Sequence, residues 1–174
     1  MRIRLQVFVL LALAGSCLPL YADEKAPAKE DSRYEMREDH DPNGIGKFYM
    51  GREIAYVMGF AGASWLERSN REEEERITLL IRSLNLKPGQ VVADIGAGSG
   101  VISFLMAEQV LPRGKVMAVD VQQEMLDRLK KFSETLGVTN VVPVKGTETS
   151  TGLEANSTDL AIMVDVYHEF EFPY

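Results

Sequence analysis

Three observations predict an α/β fold built on a parallel sheet. Short apolar runs recur at residues 91–95, 116–119, 141–144 and 159–166. Segments with helical spacing of apolar residues separate them. The first run leads straight into a glycine turn, Gly96-Ala97-Gly98-Ser99-Gly100. Strands that are apolar on both faces and alternate with helices indicate a parallel sheet with helices on both faces.

The elements follow in chain order. Residues 23–41 are charged, carry proline and show no apolar period, so they predict a flexible linker. Residues 42–90 predict a small helical segment. Within it, residues 44–64 are rich in glycine and aromatics, with a short helix expected over 52–58. Residues 71–84 predict one helix, because Ile77, Leu80, Ile81 and Leu84 fall at i, i+3, i+4 and i+7. Asn70 is its expected N-cap, and Glu72 to Glu75 suit the positive end of its dipole. Lys87-Pro88-Gly89 ends this part.

Residues 91–95, VVADI, predict a buried strand. A helix is expected over 101–110, stopped by Pro112 and Gly114. The next strand, 116–119, runs into Asp120. The following helix places Met125, Leu129, Phe132 and Leu136 on one face and stops at Gly137. The strand at 141–144 contains Pro143, which cannot donate to a ladder and so belongs at a sheet edge. The run 159–166, DLAIMVDV, predicts a fourth strand. Met58, Met106, Met117, Met125 and Met163 are expected to fill the core.

Composition narrows the function. The 174 residues are 45% hydrophobic and 26% charged, with mean hydropathy −0.10 and formal net charge −7. So acidic a chain, without a basic cluster, disfavours nucleic acid as the main partner. Two His and one Cys exclude a Cys/His zinc site and a disulfide framework; no metal site is expected.

The N-terminus has the layout of an export signal. Arg2 and Arg4 precede an apolar run, and small residues follow at Ala14-Gly15-Ser16-Cys17. Two processing sites are open: cleavage after Ala22, giving a signal peptide of residues 1–22, or lipidation of Cys17, giving a membrane tether. Either predicts an exported protein, periplasmic or secreted. Loss of residues 1–22 removes two arginines and no acid, so the net charge moves from −7 to −9. It also removes the only cysteine, which excludes thiol chemistry on acceptors such as arsenic.

The chemistry concentrates in residues 91–120. Ligands of open α/β sheets bind beyond the carboxyl ends of the strands, where this glycine turn lies. Asp120 ends the next strand, 20 residues after Gly100, where an acid can accept both hydroxyls of a ribose. The glycine spacing is G-x-G-x-G, whereas the dinucleotide fingerprint is G-x-G-x-x-G. Asp94 also stands two residues before the first glycine. A carboxylate there repels a pyrophosphate and attracts an ammonium or sulfonium group.

Asp94-Ile95-Gly96-Ala97-Gly98-Ser99-Gly100 resembles the first motif, D-x-G-x-G-x-G, of class I S-adenosylmethionine-dependent methyltransferases. The strand ending at Asp120 resembles their second motif, and residues 159–165 their fourth. The branch is similar to small-molecule methyltransferases of quinone-biosynthesis type, and the resemblance covers residues 71–174. It implies a Rossmann-like domain over residues 91–174 and S-adenosylmethionine as cofactor. Asp94, Gly96, Ala97, Gly98 and Gly100 would wrap its amino-acid and ribose parts, Asp120 would take the ribose hydroxyls, and Val121 would pack on the adenine. Where the family often has Gly-Asp for the adenine amino group, this chain has Gly146-Thr147-Glu148, so Thr147 or Glu148 stands in.

Asp165 would face the reacting centre, and His168 is the candidate base, with Tyr167 beside it. Glu169 and Glu171 read as solvated. Tyr49, Tyr56, Phe60 and Trp65 precede the first helix, where similar enzymes fold a lid over the cofactor; plain packing is the other reading. The family's full strand order is 3-2-1-4-5-7-6, so the resemblance implies a partial sheet, 3-2-1-4. The strand at Asp159 is then an open edge, covered by a partner or a further segment. The functional expectation is methyl transfer to a small-molecule acceptor. The alternatives are a non-catalytic or truncated binder of S-adenosyl ligands and a nicotinamide-dependent oxidoreductase.

Overall fold

The computed structural model describes residues 31–174, of which Arg33–Tyr174 form one compact unit. The export signal and the first part of the expected linker, residues 23–30, lie outside the described residues.

The chain begins with a three-stranded antiparallel sheet: β1 (Tyr34–Met36), β2 (Gly44–Tyr49) and β3 (Arg52–Ala55), in the order β1-β2-β3. This corrects three expectations. Residues 34–36 are a strand, not linker. The part after residue 42 opens with a hairpin rather than helices. Residues 52–55 are β, not the start of a helix over 52–58. The cause is the turn. Tyr49 pairs with Arg52, leaving Met50 and Gly51 as a two-residue loop, both at positive φ (51° and 79°). That backbone matches the right-handed twist of paired strands and closes a hairpin.

A helical stretch follows: α1 (Ala63–Leu66), α2 (Arg71–Glu75) and α3 (Ile77–Ser83). The single helix expected over 71–84 is therefore two, broken at Arg76, whose φ is 52°. Glu72 drives the break. Its carboxylate accepts Thr78 N at 3.0 Å and Thr78 Oγ1 at 2.9 Å, supplying the start of α3 with the acceptor its free N–H groups need. Asn70 makes no capping bond; its side chain donates to Glu74 Oε1 at 2.6 Å. Of the expected stripe, Ile77 and Ile81 are buried, Leu84 packs partly against the core, and Leu80 is exposed.

The second sheet matches the expectation closely. β4 (Val91–Ile95), β5 (Lys115–Asp120), β6 (Val141–Lys145) and β7 (Leu160–Ile162) are parallel, in the order β6-β5-β4-β7. In order of appearance this is 3-2-1-4. α4 (Val101–Gln109) and α5 (Gln123–Leu136) are the helices that follow β4 and β5. Pro143 sits on the edge strand β6, opposite Ala118, where its missing N–H costs no ladder bond. Gly137, at φ 67°, caps α5.

The fourth strand is shorter than expected, three residues instead of eight. Asp159 aligns it: Val91 N donates to Asp159 Oδ2 at 2.7 Å, and Asp159 N to Val91 O at 2.8 Å. Beyond Ile162 the chain leaves the sheet, and Met163 is exposed rather than core. Met58 is also outside the core, half-buried. Val92, Met106, Val110, Val116 and Leu129 form the centre of the core, each fully buried. Each such side chain contributes roughly 1.5–3 kcal/mol relative to exposure. The apolar interior anchors the carboxyl ends of β4 and β5, and so places the loops that follow them side by side.

Candidate functional site

The site starts where β4 ends. Gly96 N and Ala97 N both donate to Val119 O, at 2.8 and 2.9 Å, so the turn folds across the end of β5. Gly96, Gly98 and Gly100 have φ of 76°, 55° and 90°. Space is as restrictive as angle at the first two. A Cβ on Gly96 would lie 2.3 Å from Val166 Cγ2, and one on Gly98 2.7 Å from Leu66 Cδ1. Only glycine combines that backbone with that closeness.

Asp120 binds this turn to the next loop. Its Oδ2 accepts Gly98 N at 2.8 Å and its Oδ1 accepts Gln122 N at 2.8 Å. Asp94 lies on the same side, only 2% exposed, and accepts Ser103 Oγ at 2.6 Å. Burial pushes the Asp94 carboxyl up to about 6. The Ser103 hydroxyl opposes this, the negative Asp120 adds to it, and Arg71 opposes it again.

Arg71 is the residue that sequence reasoning missed. It read only as the first residue of a helix, yet it is 5% exposed and points into the site. Its Nε donates to Glu75 at 2.7 Å and a terminal nitrogen donates to Leu66 O at 3.0 Å. Its other terminal nitrogen lies 3.9 Å from Asp165 Oδ2. Arg71, Asp94, Gly96, Ser99, Leu66 and Val164 line a cavity of about 30 Å³. Ser99 Oγ is wholly buried there and makes no hydrogen bond of ordinary geometry; its weak reach to Glu67 helps hold that carboxyl low, behind the main influence of Arg128.

Residues 58–67 lie over the turn. Met58 N donates to Glu169 Oε2 at 3.2 Å, and Gln122 Nε2 donates to Met58 O at 2.9 Å. Leu66 covers Gly98. Arg128 grips both carboxylate oxygens of Glu67. Phe60 and Trp65 in this part, and Tyr56 just before it, are exposed. Glu169 is thus not solvated as expected. Its side chain is 14% exposed, and burial raises its pKa against the pull of the Met58 N–H and His168. Glu171, 43% exposed, faces the Lys47 amine at 3.5 Å.

The remaining expected residues lie around this centre. Val121 is exposed at the rim, its carbonyl accepting the Lys145 amine. Thr147 and Glu148 are exposed in a turn anchored by Gly146 N, which donates to Asp120 O at 3.0 Å. Asp165 is exposed on the Arg71 side, held at φ 53°. His168 faces a separate cavity, with Nε2 3.7 Å from Glu169 Oε1. Among the described residues, no cluster of His, Cys, Asp and Glu could hold a metal ion.

Residues 92–173 match the model of a methyltransferase-domain family. The chain is 29% identical to a SAM-dependent methyltransferase from Aquifex aeolicus, with a TM-score of 0.64 over 67% of this chain and 62% of that one. It is 39% identical over 74 residues to a protein-L-isoaspartate O-methyltransferase of Aeropyrum pernix, covering 42% of this chain and 28% of the relative. An arsenite methyltransferase of Halobacterium salinarum is 39% identical over 46 residues, 26% of this chain and 12% of the relative. The chain thus spans well under half the length of these curated relatives. Together with the sheet order and the glycine turn, these matches support a Rossmann-like S-adenosylmethionine-dependent methyltransferase domain, with S-adenosylmethionine as its cofactor.

Proposed function

We propose that this chain transfers a methyl group from S-adenosylmethionine to a small-molecule acceptor, in the manner of quinone-biosynthesis-type enzymes. The observation that carries the reading is the joint placement of Asp94, the glycine turn, Asp120 and Arg71 at the carboxyl ends of β4 and β5. Their chemistry fits the cofactor. Asp94 and Arg71 offer a carboxylate and a guanidinium for its ammonium and carboxylate. Ser99 Oγ is a buried hydroxyl in want of a partner. Without a Cβ at Gly96 and Gly98, a ligand can approach that backbone closely once Val166 and Leu66 move aside.

The cofactor supplies an activated methyl on a sulfonium. The chain's own residues then bind, orient and exclude water. Asp120 would exchange its bonds to Gly98 N and Gln122 N for the ribose hydroxyls. Arg71 would keep its bonds to Glu75 and Leu66 O while its free side turns to a carboxylate. Val121 and the Thr147–Glu148 turn would border the adenine. Leu66 and Val166, which now fill the space over the turn, would draw back, because about 30 Å³ is far below the roughly 300 Å³ of the smallest typical ligand sites. The reading also includes export, supported by the order of charged, apolar and small residues in the first 22; fractionation of the expressed full chain tests it.

Calorimetric titration of the full chain with S-adenosylmethionine, S-adenosylhomocysteine and NAD tests the cofactor. The expected result is binding of both S-adenosyl ligands, none of NAD, and at least a tenfold loss in Asp120→Ala. Failure of a folded sample to bind either S-adenosyl ligand would overturn the reading.

A further inference from the structure

We propose that Gln122 and Glu169 are positioning residues that grip Met58 from both sides, and that this clamp couples ribose binding at Asp120 to withdrawal of the two side chains that fill the cofactor's space. The inference rests on the methyltransferase reading and adds to it how entry to the same site is controlled.

The path of hydrogen bonds is continuous. Asp120 Oδ1 accepts Gln122 N at 2.8 Å. Gln122 Nε2 donates to Met58 O at 2.9 Å, and Met58 N donates to Glu169 Oε2 at 3.2 Å. Glu169 N in turn donates to Val166 O at 2.9 Å. Both blocking side chains hang on this path. Val166 packs on Gly96, and Leu66, in the segment that Met58 begins, packs on Gly98. The Gln122 side chain serves Met58 and not its own helix: it stands at the cap position of α5 and makes no capping bond. Glu169 holds a carboxylate at 14% exposure, a costly place that the Met58 N–H helps to offset.

One event acts on the whole path. A ribose that takes Asp120 leaves the Gln122 N–H without its acceptor, and a part-buried donor is costly to leave unpaired. Residue 122 then shifts, and Nε2 leaves Met58 O. With its carbonyl released, Met58 is held by Glu169 alone, and the segment that carries Leu66 loosens. Glu169 and the 166–169 turn are freed in the same step, so Val166 moves off Gly96. The carboxylate that binds the ribose is thus the one that keeps the empty site covered. The affinity of such a protein is lowered by the fraction of molecules that are closed. Loosening the clamp therefore strengthens binding, the reverse of what loss of a supporting contact does.

Trp65, the sole tryptophan of the chain, lies in the covering segment, half exposed, with the Arg68 guanidinium 3.9 Å over its ring. Its fluorescence reports movement there. Stopped-flow mixing of the full chain with S-adenosylhomocysteine reads that signal, calorimetry reads affinity, and circular dichroism checks the fold of each variant. In the wild type the Trp65 signal should change, at a rate that levels off with ligand concentration as opening becomes limiting. Gln122→Ala keeps the backbone N–H to Asp120 and removes only the grip on Met58. It and Glu169→Ala should each raise the limiting rate and the affinity roughly fivefold, the equivalent of one hydrogen bond. Glu169→Gln, whose amide oxygen still accepts the Met58 N–H, should stay within twofold of wild type. Binding that is weakened or unchanged in both Ala variants, or a silent Trp65 on binding, overturns the clamp and leaves the cofactor reading standing. Failure of a folded sample to bind S-adenosylhomocysteine overturns the cofactor reading, and the clamp falls with it.

Discussion

Residues 91–145 and residues 33–85 differ in where their structure is encoded. In the first region each element is specified by its own residues: an apolar run for β4, glycines for the turn, Asp120 at the end of β5, Gly137 after α5. In the second, partners far along the chain do much of the work. The Lys47 amine lies over the rings of Tyr34 and Phe172, at 4.3 and 3.9 Å, and the Arg33 guanidinium lies 3.6 Å over Tyr174. Met58 is tied to Gln122 and Glu169. The parallel sheet therefore builds the candidate site, while the N-terminal region packs beside it by borrowing groups from the other end of the chain.

The largest expected effect lies in the locally encoded region. In Gly96→Ala the new Cβ meets Val166 and the backbone stays at positive φ. A left-handed L-residue costs roughly 1–2 kcal/mol and overpacking roughly 1–3, so the loss is about 2–5 kcal/mol. Denaturant unfolding measures it. Adding Val166→Ala should return the clash part and not the backbone part, and full recovery by that second change would show that conformation at Gly96 does not matter.

Sequence legibility divides along the same line. All four parallel strands, both intervening helices and the cluster of Asp94, Gly96, Gly98, Gly100 and Asp120 were readable, because strand, turn and acid each leave a local pattern; the strand order came from the family resemblance. The hairpin was not readable because Met50-Gly51 closes it without the usual Asn-Gly pair, and glycines with aromatics suggested a loop. The single helix over 71–84 failed because Glu72 binds Thr78 in preference to extending α2. Arg71 left no signal, since one arginine at a helix start looks like any other; its burial comes from Glu75, Leu66 and Asp165. Glu169 was misjudged because its partner, Met58, is 111 residues away.

Asp94→Asn should show that the cofactor site is held at a cost. The native carboxyl titrates at about 6 and the unfolded one at 3.8. Between these values the native state binds more protons, so this residue's contribution falls as pH rises through the window and stays low above it. At about 1.4 kcal/mol per unit the cost approaches ~3 kcal/mol. The variant should match the wild type near pH 4 and be more stable at pH 7.5, while its affinity for S-adenosylhomocysteine drops at least tenfold. Equal stability of the two proteins across pH 4–8 would remove burial as the dominant influence on Asp94.

Leu66→Ala tests the boundary between the regions. Leu66 belongs to the distantly held part but fills space over Gly98. Truncation should cost about 1 kcal/mol of stability, because the side chain is only half-buried. It should also raise affinity for S-adenosylhomocysteine severalfold, since a group that must be displaced is gone. Weaker binding instead would mean that Leu66 is a wall of the occupied site and not an obstacle to it.

The smallest effect is expected at Glu53→Gln, deep in the hairpin. The carboxylate spans the strand ends, accepting Gly46 N with one oxygen and Asp41 N with the other, with the His40 imidazole 3.0 Å away. An amide keeps one acceptor and turns a donor toward the other N–H, so the loss is about 1 kcal/mol, the size of one hydrogen bond. Hydrogen exchange should rise at Gly46 and Asp41 and stay unchanged in β4 and β5, and S-adenosylhomocysteine affinity should stay within twofold. Exchange that rises equally in both sheets would mean that the hairpin and the parallel sheet open as one unit, and that the N-terminal region supports the cofactor site as well as covering it.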